Sequence, residues 1–488
     1  MKKILLLIGL FLWQWTLFAQ NYEANWKSLD QRQIPEWFGD AKFGIFIHWG
    51  PYSVPAWSPA GTYTEWYQYW WQTHNIFGNN KPDKDAIPNL QKLVYGEDGN
   101  YYDHGRNWKA ELYDPTEWAQ LFKKAGAKYV ILTSKHHDGF TLWKNKEAQR
   151  YRGFAWNAVE TGPKKDLLAP YMKAMREAGL KAGLYYSLLE WFHPISGKSD
   201  FITKHYHPQI KDLVTKYNPD LLYADGEWGA DDSYWKSNEL IQWLYNQSTV
   251  KDNILINDRW FKGCRHKHGG YYSTEYEAEG LNTDKPYEEI RGIGTSFGYN
   301  RDEDLADYAT SQELILMLCD IVSQGGNLCL NVGPRADGKI PVIQQQRLLE
   351  IGSWLDINGD AIYGTKKWSK PCQWSKGKTE INLKDSGLHY ITADYIIRLM
   401  LEPKEGEARK ECIFTIKDDN LYAIFPKWQQ TCIIKEIDAS KIKNITLLID
   451  GTKCSFKKYK NGIRINLPAY KPEYAKSKDA YVLQIQLK

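Results

Sequence analysis

Charged and aromatic side chains follow several apolar segments between residues 48 and 260 of this 488-residue sequence. In a parallel α/β barrel, residues at the carboxyl ends of the strands point into one common site. Several such endings around one rim would bring carboxylates, imidazoles and indoles together, which suits a polyhydroxylated ligand. The endings are residues 48–49, 135–138, 186, 225–228 and 257–260.

Each ending also has a purely structural explanation when taken alone. His48 fits a buried histidine with a satisfied hydrogen bond, Asp225 a helix cap, and Arg259 a member of an ion pair at the rim. His136 and His137 could both ligate a metal, but neighbours on a strand point to opposite faces. Because no third ligand follows at a suitable spacing, we expect no metal site.

The elements that position these residues repeat along the chain. From about residue 40 to residue 360, apolar segments alternate with amphipathic ones, and Asp114 with Pro115 is typical of a helix start. Strands that are apolar on both faces and alternate with helices predict a parallel sheet covered by helices. We expect a closed (β/α)8-like barrel, with an open doubly wound sheet as the alternative. The sequence lacks the glycine-rich phosphate loop that would favour the open sheet.

The pattern changes after about residue 367. Short alternating runs at 412–416, 421–425, 445–449 and 481–487 are separated by Gly, Asn, Asp and Lys. Such runs predict an antiparallel β-sandwich. We therefore divide the chain into a signal peptide (1–19), a barrel-like catalytic domain (20–366) and a β-sandwich domain (367–488).

Composition limits the classes of ligand. The 63 basic residues nearly balance the 59 acidic ones, which argues against nucleic acid as a partner. The sequence is rich in aromatic residues, with 22 Trp, 33 Tyr and 16 Phe. Indole faces stack well on the C–H faces of sugar rings, although most of these residues must also serve as core side chains. Seven cysteines without a CxxC pair indicate neither a disulfide framework nor a zinc ribbon.

The first residues are typical of an export signal. Lys2 and Lys3 precede an apolar run, and small residues near Ala19 provide a cleavage site. We therefore expect a periplasmic or secreted protein after cleavage of the signal peptide. Because no other long apolar stretch follows, membrane insertion is not expected.

Seven segments together resemble the α-L-fucosidases of glycoside hydrolase family 29. The segment WFGDAKFGIFIHWG at 37–50 resembles that family's opening strand, and KHHDGF at 135–140 is also similar. The similarity continues in order through roughly residue 365, whereas the sandwich resembles the family's C-terminal domain only loosely. The other similar segments are DGEW (225–228), NDRW (257–260), HGGYY (268–272), SFGYN (296–300) and GNLCLNVGP (326–334).

The resemblance implies a retaining exo-glycosidase that removes terminal L-fucose from fucosylated oligosaccharides or glycoconjugates and uses no metal or other cofactor. It assigns the nucleophile to Asp225. The acid/base is assigned to Glu288, which we expect in a loop eight positions before Ser296, with Glu289 as the neighbouring alternative. The implied sugar-binding set is His48, Glu65, Trp66, His136, His137, Tyr186, Tyr223 and Arg259.

Two other classes of function remain open at this point. A non-catalytic fucose-binding protein could share the fold, although the presence of both Asp225 and Glu288 argues against it. A barrel hydrolase could use the histidines for metal-assisted chemistry. The hypothesis of a retaining glycosidase gives the most specific structural prediction, because the two carboxyl groups of such an enzyme must lie about 5–5.5 Å apart.

Overall fold

The computed structural model describes residues 21–77, 82–276, 281, 283–379 and 392–488. The predicted signal peptide lies outside the described residues. Eight parallel strands form one sheet in the order β5-β4-β3-β2-β1-β8-β7-β6. These strands are β1 (Phe43–Ile47), β2 (Tyr129–Lys135), β3 (Lys181–Ser187), β4 (Leu221–Asp225), β5 (Leu255–Ile256), β6 (Tyr272–Glu275), β7 (Tyr287–Gly292) and β8 (Gly326–Val332).

Backbone hydrogen bonds join the two edges of this sheet. The Tyr271 N–H donates to the Ile256 carbonyl at 3.1 Å, and the Gly270 N–H donates to the Asn257 carbonyl at 3.2 Å. A Cβ on Gly270 would lie 1.8 Å from the Ile256 carbonyl oxygen, so this close approach requires glycine. The predicted (β/α)8-like fold is confirmed, and the open doubly wound alternative is not what the chain adopts.

Helices cover the outside of the sheet. The predicted helix start at Asp114 is confirmed, because its side chain accepts hydrogen bonds from the Thr116 and Glu117 N–H groups. The helices are α1 (Trp26–Leu29), α2 (Glu36–Ala41), α3 (Tyr67–Thr73), α4 (Ala86–Tyr95), α5 (Tyr101–Asn107), α6 (Pro115–Lys124), α7 (Glu147–Arg150), α8 (Leu168–Glu177), α9 (Ser199–Phe201), α10 (His207–Tyr217), α11 (Asp232–Trp235), α12 (Ser237–Asn246), α13 (Ser311–Ser323), α14 (Val342–Asn358) and α15 (Thr392–Leu401). Among the described residues, no helix combines the length and the apolar character needed to cross a bilayer.

Two apolar clusters flank the barrel strands, because successive side chains of a strand point to opposite faces. Tyr129 and Ile131 of β2 belong to the inner cluster, whereas Val130 and Leu132 pack in the outer cluster with the helices. The same alternation decides which side chains of every strand can reach a site inside the barrel.

The C-terminal part forms two antiparallel sheets, in the orders β13-β16-β11-β10-β9 and β12-β15-β14. An apolar core of its own lies within this part. The predicted antiparallel sandwich is confirmed, while the domain boundary at residue 367 stays a prediction. Its strands are β9 (Lys366–Trp374), β10 (Lys410–Lys417), β11 (Asn420–Phe425), β12 (Thr431–Lys435), β13 (Ile442–Leu447), β14 (Ser455–Tyr459), β15 (Gly462–Asn466) and β16 (Tyr481–Leu487).

Candidate active site

A cavity of about 400 Å³ opens at the carboxyl ends of the barrel strands. Its wall combines charged side chains with aromatic ones. Most of the predicted site residues line this cavity, namely His48, Glu65, Trp66, His136, His137, Tyr223, Asp225 and Arg259. The wall also contains Phe46, Tyr63, Phe77, Tyr185, Trp228, Arg265, Glu275, Ile290 and Phe297.

Asp225 is the last residue of β4 and is 8% exposed. Its Oδ1 accepts a hydrogen bond from Arg259 Nη1 at 3.1 Å, and its Oδ2 accepts one from the Tyr185 hydroxyl at 3.0 Å. Burial alone would raise the pKa of Asp225, but the positive charge of Arg259, with His137 and Arg265 nearby, outweighs burial and lowers it to about 2. This carboxylate is therefore ionised across the neutral range.

A second carboxylate meets the same guanidinium. Glu275, the last residue of β6, accepts from Arg259 Nη1 at 3.2 Å, and its side chain is 29% exposed. Because Asp225 Oδ1 and Glu275 Oε2 both lie within 3.2 Å of one nitrogen, these oxygens are at most twice that distance apart. Two carboxyl groups therefore share one cavity at a separation compatible with retaining hydrolysis.

Arg259 is itself held in place. Its Nε donates to Ser273 Oγ at 2.9 Å, and the Ser273 hydroxyl donates to Asp258 Oδ1 at 2.6 Å. Its Nη2 is buried and has no hydrogen-bond partner among the described residues. A ligand hydroxyl in the cavity could supply the missing acceptor.

The histidines of the cavity are neutral at ordinary pH. Burial lowers the pKa of His48 and of His137 to about 4, and lowers that of His136 well below its usual range. His137 Nδ1 lies 2.6 Å from Ser187 Oγ, whose hydroxyl donates to the Leu189 carbonyl. Ser187 therefore accepts from His137 Nδ1–H, which leaves His137 Nε2 as an acceptor facing the cavity.

Glu65 lies on a short 3₁₀ turn, Thr64–Trp66, and is buried. Its Oε2 accepts a hydrogen bond from the Gly298 N–H at 2.8 Å. Burial raises the pKa of Glu65 to about 7. Near neutral pH this group can therefore donate or accept a hydrogen bond to a ligand.

Tyr186 does not reach the cavity. Its ring belongs to the outer cluster, and its hydroxyl donates to Gln209 Oε1 at 2.7 Å. Tyr185 lines the cavity instead, because neighbouring residues of β3 point to opposite faces. Tyr186, the predicted substrate contact, is therefore not in the cavity wall, and its neighbour Tyr185 is.

Glu288 also lies outside the cavity wall, and it is in β7 rather than in the expected loop. Its carboxyl is fully buried and accepts hydrogen bonds from the Tyr129 hydroxyl at 2.6 Å and the Tyr271 hydroxyl at 3.1 Å. Ile290, two positions further along the strand, is the residue of β7 that lines the cavity. The structure thus leaves Asp225 and Glu288 in separate places and does not support Glu288 as the acid/base.

Glu289 faces the other side of β7. Its Oε1 lies 2.6 Å from Arg291 Nε, and its Oε2 accepts from the Thr274 hydroxyl. Both carboxyl groups of the Glu288-Glu289 pair are therefore engaged by buried side chains. Neither belongs to the wall of the cavity.

Glu275 and Tyr185 are the main site residues that the sequence analysis missed. Both lie at or near the carboxyl end of a parallel strand, as the predicted site residues do. Glu275 is the last residue of β6, and Tyr185 is close to the end of β3. The available signal for Glu275 was its position three residues after the segment HGGYY (268–272), whose last residue begins a short strand. That strand was not recognised, because YSTE contains little apolar character.

Among the described residues, one cluster meets the distance test for a metal site, and it lies beside the cavity rather than in its wall. Glu190, His193 and His205 place one ligand atom each within 4.8 Å of one another. However, Glu190 already pairs with Lys135 Nζ at 3.0 Å and with Arg152 Nη2 at 2.8 Å. The two side-chain cations compensate the carboxylate, so the cluster works as a buried ion network.

Comparisons with known proteins show which family the chain is similar to. The model of the α-L-fucosidase family matches residues 13–360, and that of the α-L-fucosidase C-terminal domain matches residues 406–486. The chain is 37% identical over 480 residues to tissue α-L-fucosidase from Homo sapiens, covering 96% of this chain and 92% of that protein. It is 42% identical over 362 residues to an α-L-fucosidase from Dictyostelium discoideum, covering 72% of this chain and 76% of that protein.

The fold is also similar to solved structures. The crystal structure of an α-fucosidase from Thermotoga maritima in complex with fucose superimposes with a TM-score of 0.75 and 34% identity, covering 95% of this chain and 100% of that one. An α-L-fucosidase isoenzyme from Paenibacillus thiaminolyticus superimposes with a TM-score of 0.68 and 25% identity, covering 93% and 98% of the two chains.

Proposed function

This chain belongs to the α-L-fucosidase family, and we propose that it removes terminal α-L-fucosyl residues from glycans by a retaining double displacement. One observation supports the mechanism most directly: Asp225 and Glu275 both accept a hydrogen bond from Arg259 Nη1 in the same cavity. We assign Asp225 as the nucleophile and Glu275 as the acid/base. Fucosylated oligosaccharides or glycoconjugates are the proposed substrates.

In the first step, an Asp225 carboxylate oxygen attacks the anomeric carbon and forms a glycosyl ester. The bond between that carbon and the leaving oxygen breaks, and its electron pair stays on the oxygen. Protonated Glu275 supplies the proton that this oxygen needs. Arg259 favours ionised Asp225 before attack, and the low pKa of Asp225 keeps it ready as a nucleophile.

In the second step, a water attacks the same carbon from the face that the leaving group has vacated. Glu275, now a carboxylate, accepts a proton from this water, and the ester bond to Asp225 breaks. Asp225 recovers its electron pair, Glu275 recovers its proton, and fucose leaves with its original anomeric configuration. The scheme uses no metal, since the Asp225 carboxylate itself stabilises the positive charge that develops on the sugar.

The remaining wall suits a deoxy sugar. Neutral His48, His136 and His137 can exchange hydrogen bonds with hydroxyl groups without adding charge. Phe46, Ile290 and Phe297 form an apolar part of the wall, where a methyl group can bind. L-Fucose carries a methyl where most hexoses carry a hydroxymethyl group, so both parts of the wall would be used. The alternative of a non-catalytic fucose-binding protein requires neither ionised Asp225 nor a second carboxyl group beside it.

The experiment is azide rescue with an aryl α-L-fucoside. Asp225→Ala should lose activity and recover it with azide, giving the inverted β-fucosyl azide, because azide attacks the substrate directly. Glu275→Ala should lose about 10²–10⁴-fold of activity towards a poor leaving group. With azide it should give the retained α-fucosyl azide, because azide attacks the Asp225 ester.

Glu288→Gln is the matched control for the acid/base assignment. If Glu288→Gln gives the retained azide and Glu275→Ala does not, the assignment to Glu275 is overturned. Binding of fucose by a wild-type protein that hydrolyses no fucoside would favour the non-catalytic alternative.

Export is also part of the proposal. The basic residues and apolar run at the start of the chain support secretion or transfer to the periplasm. N-terminal sequencing of the protein recovered from the medium or periplasm should begin near residue 20. Recovery of activity only inside the cell, with residue 1 retained, would contradict it.

A further inference from the structure

A band of aromatic rings runs from the wall of the cavity to the protein surface. We call it the aromatic ledge and define it as Trp228, Trp66, Trp191, Tyr69 and Phe192. Trp66 stacks on Trp228 with ring centroids 5.9 Å apart and packs on Trp191 at 5.0 Å. Tyr69 continues the band, with centroids 5.5 Å from Trp191 and 6.5 Å from Phe192.

The outer end of the ledge has two unusual properties. Phe192 exposes 45% of its surface, although a phenyl ring is normally buried. Its backbone has φ of 55°, a left-handed conformation that residues other than glycine rarely adopt. Strained backbone persists where the surroundings hold it, and such residues cluster at binding sites.

The surroundings of Phe192 do hold it. The Trp191 N–H donates to the His137 carbonyl at 2.7 Å, and His193 on the other side is buried. Glu190, two positions earlier, is fixed by Lys135, Arg152 and His205. The neighbours of Phe192 in the loop after β3 are thus held in place, while the Phe192 ring itself is exposed.

We propose that the aromatic ledge binds the pyranose ring that leaves with the glycosidic oxygen, which is the sugar next to fucose in the glycan. This inference rests on the function proposed above. Trp66 and Trp228 both line the cavity, so the ledge continues the fucose site without a gap. A terminal fucosyl ring held in the cavity places the next ring at the cavity mouth, and the ledge is an aromatic path from the cavity wall to the surface.

The ledge therefore selects a leaving group with an apolar C–H face. A sugar ring that stacks on an aromatic ring gains binding energy without a charged contact. Trp228 and Phe192 are partly exposed and offer aromatic faces for such stacking. Because Phe192 does not line the cavity, its contact should affect substrates that carry a leaving sugar and should not affect fucosyl derivatives that lack one.

The test compares two substrates in the full-length enzyme. α-L-Fucosyl fluoride has no leaving ring, whereas a fucosylated N-acetyllactosamine has one. For Phe192→Ala, the ratio of kcat/KM for the oligosaccharide to kcat/KM for the fluoride should fall about tenfold. Phe192→Tyr keeps a ring and should keep the wild-type ratio, while Tyr470→Ala, an exposed aromatic residue of the C-terminal part, is the matched control.

Phe192→Asn separates binding from folding. Asparagine tolerates the left-handed conformation, so this variant should be at least as stable as wild type and should show the same fall in the ratio. An unchanged ratio in Phe192→Ala and Phe192→Asn would overturn the proposal. So would an equal loss on both substrates. Failure of the wild type to hydrolyse either substrate would instead overturn the function on which the proposal rests.

Discussion

Because Glu288 is buried, we predict that it makes the stability of the protein depend on pH without taking part in catalysis. Burial raises its pKa from 4.5 to about 7, so the folded protein binds a proton there that the unfolded chain releases. This stabilisation is fully present below about pH 4.5 and is lost as the pH rises through about 7. Glu288→Gln should therefore become more stable relative to wild type across that window while keeping its fucosidase activity. Urea denaturation at several pH values measures the first effect. A stability difference that is constant with pH would contradict the argument.

Tyr185 and Tyr186 provide a matched pair of variants. The Tyr185 hydroxyl donates to Asp225 Oδ2, whereas the Tyr186 hydroxyl donates to Gln209 outside the barrel. Tyr185→Phe should lower kcat/KM about ten- to hundredfold, because a hydrogen bond to a charged group is lost. Tyr186→Phe should cost about 1 kcal/mol of stability and leave kcat/KM nearly unchanged. The steady-state kinetics of both variants on an aryl fucoside check this. A larger kinetic effect at Tyr186 would restore the prediction made from the sequence.

The residues that the sequence predicted well are those at the ends of recognisable strands. Asp225 and the histidines follow apolar runs, so their position at the rim could be predicted. Tyr186 was misplaced by one residue, and a shift of one residue reverses the face on which a strand side chain lies. Glu288 could not be excluded from the sequence, because nothing in it shows that Tyr129 and Tyr271 enclose that carboxyl.

At the scale of elements, the loop after β3 depends on one carboxylate. Glu190 pairs with Lys135 and Arg152, and it accepts from His205 Nε2 at 2.6 Å, all within the core. Glu190→Ala should lower the free energy of unfolding by about 3–5 kcal/mol, since it leaves two buried cations without their carboxylate. Adding Lys135→Met removes one of them and should recover part of the loss, which a double-mutant cycle measures. Full additivity of the two changes would show that the pair does not act together.

The strands of the barrel were predictable to different degrees for a physical reason. β2 and β4 are continuous apolar runs, which is the pattern of a parallel strand buried on both faces. β7 is buried throughout, yet its sequence is YEEIRG. Its charges are satisfied by tyrosine hydroxyls and by an ion pair within the strand, so burial is possible without apolar character. A pattern of hydrophobicity does not show that buried charges have partners, and Glu288 was therefore expected in a loop.

At the scale of the whole molecule, the order of elements was the strongest signal. Repeated strand and helix segments predict a parallel sheet whatever the details of each strand, and the later alternating runs predict a sandwich. How the two parts pack could not be predicted, because the contacts join residues far apart in the sequence. Trp354 Nε1 donates to the Ala480 carbonyl, and the Thr415 hydroxyl donates to the Ala361 carbonyl.

These contacts predict that the barrel and the sandwich unfold together. Lys410 of β10 and Asp320 of α13 form a buried ion pair across the interface, with Nζ 2.6 Å from Oδ1. Lys410→Met leaves the Asp320 carboxylate buried without its cation, which should cost about 3–5 kcal/mol. Loss of activity and loss of sandwich structure should shift to lower urea by the same amount, although Lys410 does not line the cavity. Activity and circular dichroism measured on the same samples test this.

Two controls make that result specific to the ion pair. Lys443→Met changes an exposed lysine of β13 and should leave both transitions in place. Lys410→Met combined with Asp320→Asn removes both charges and should be more stable than Lys410→Met alone. If the sandwich lost its structure at a urea concentration where activity persists, the two parts would be independent. The interface would then contribute nothing to the stability of the catalytic barrel.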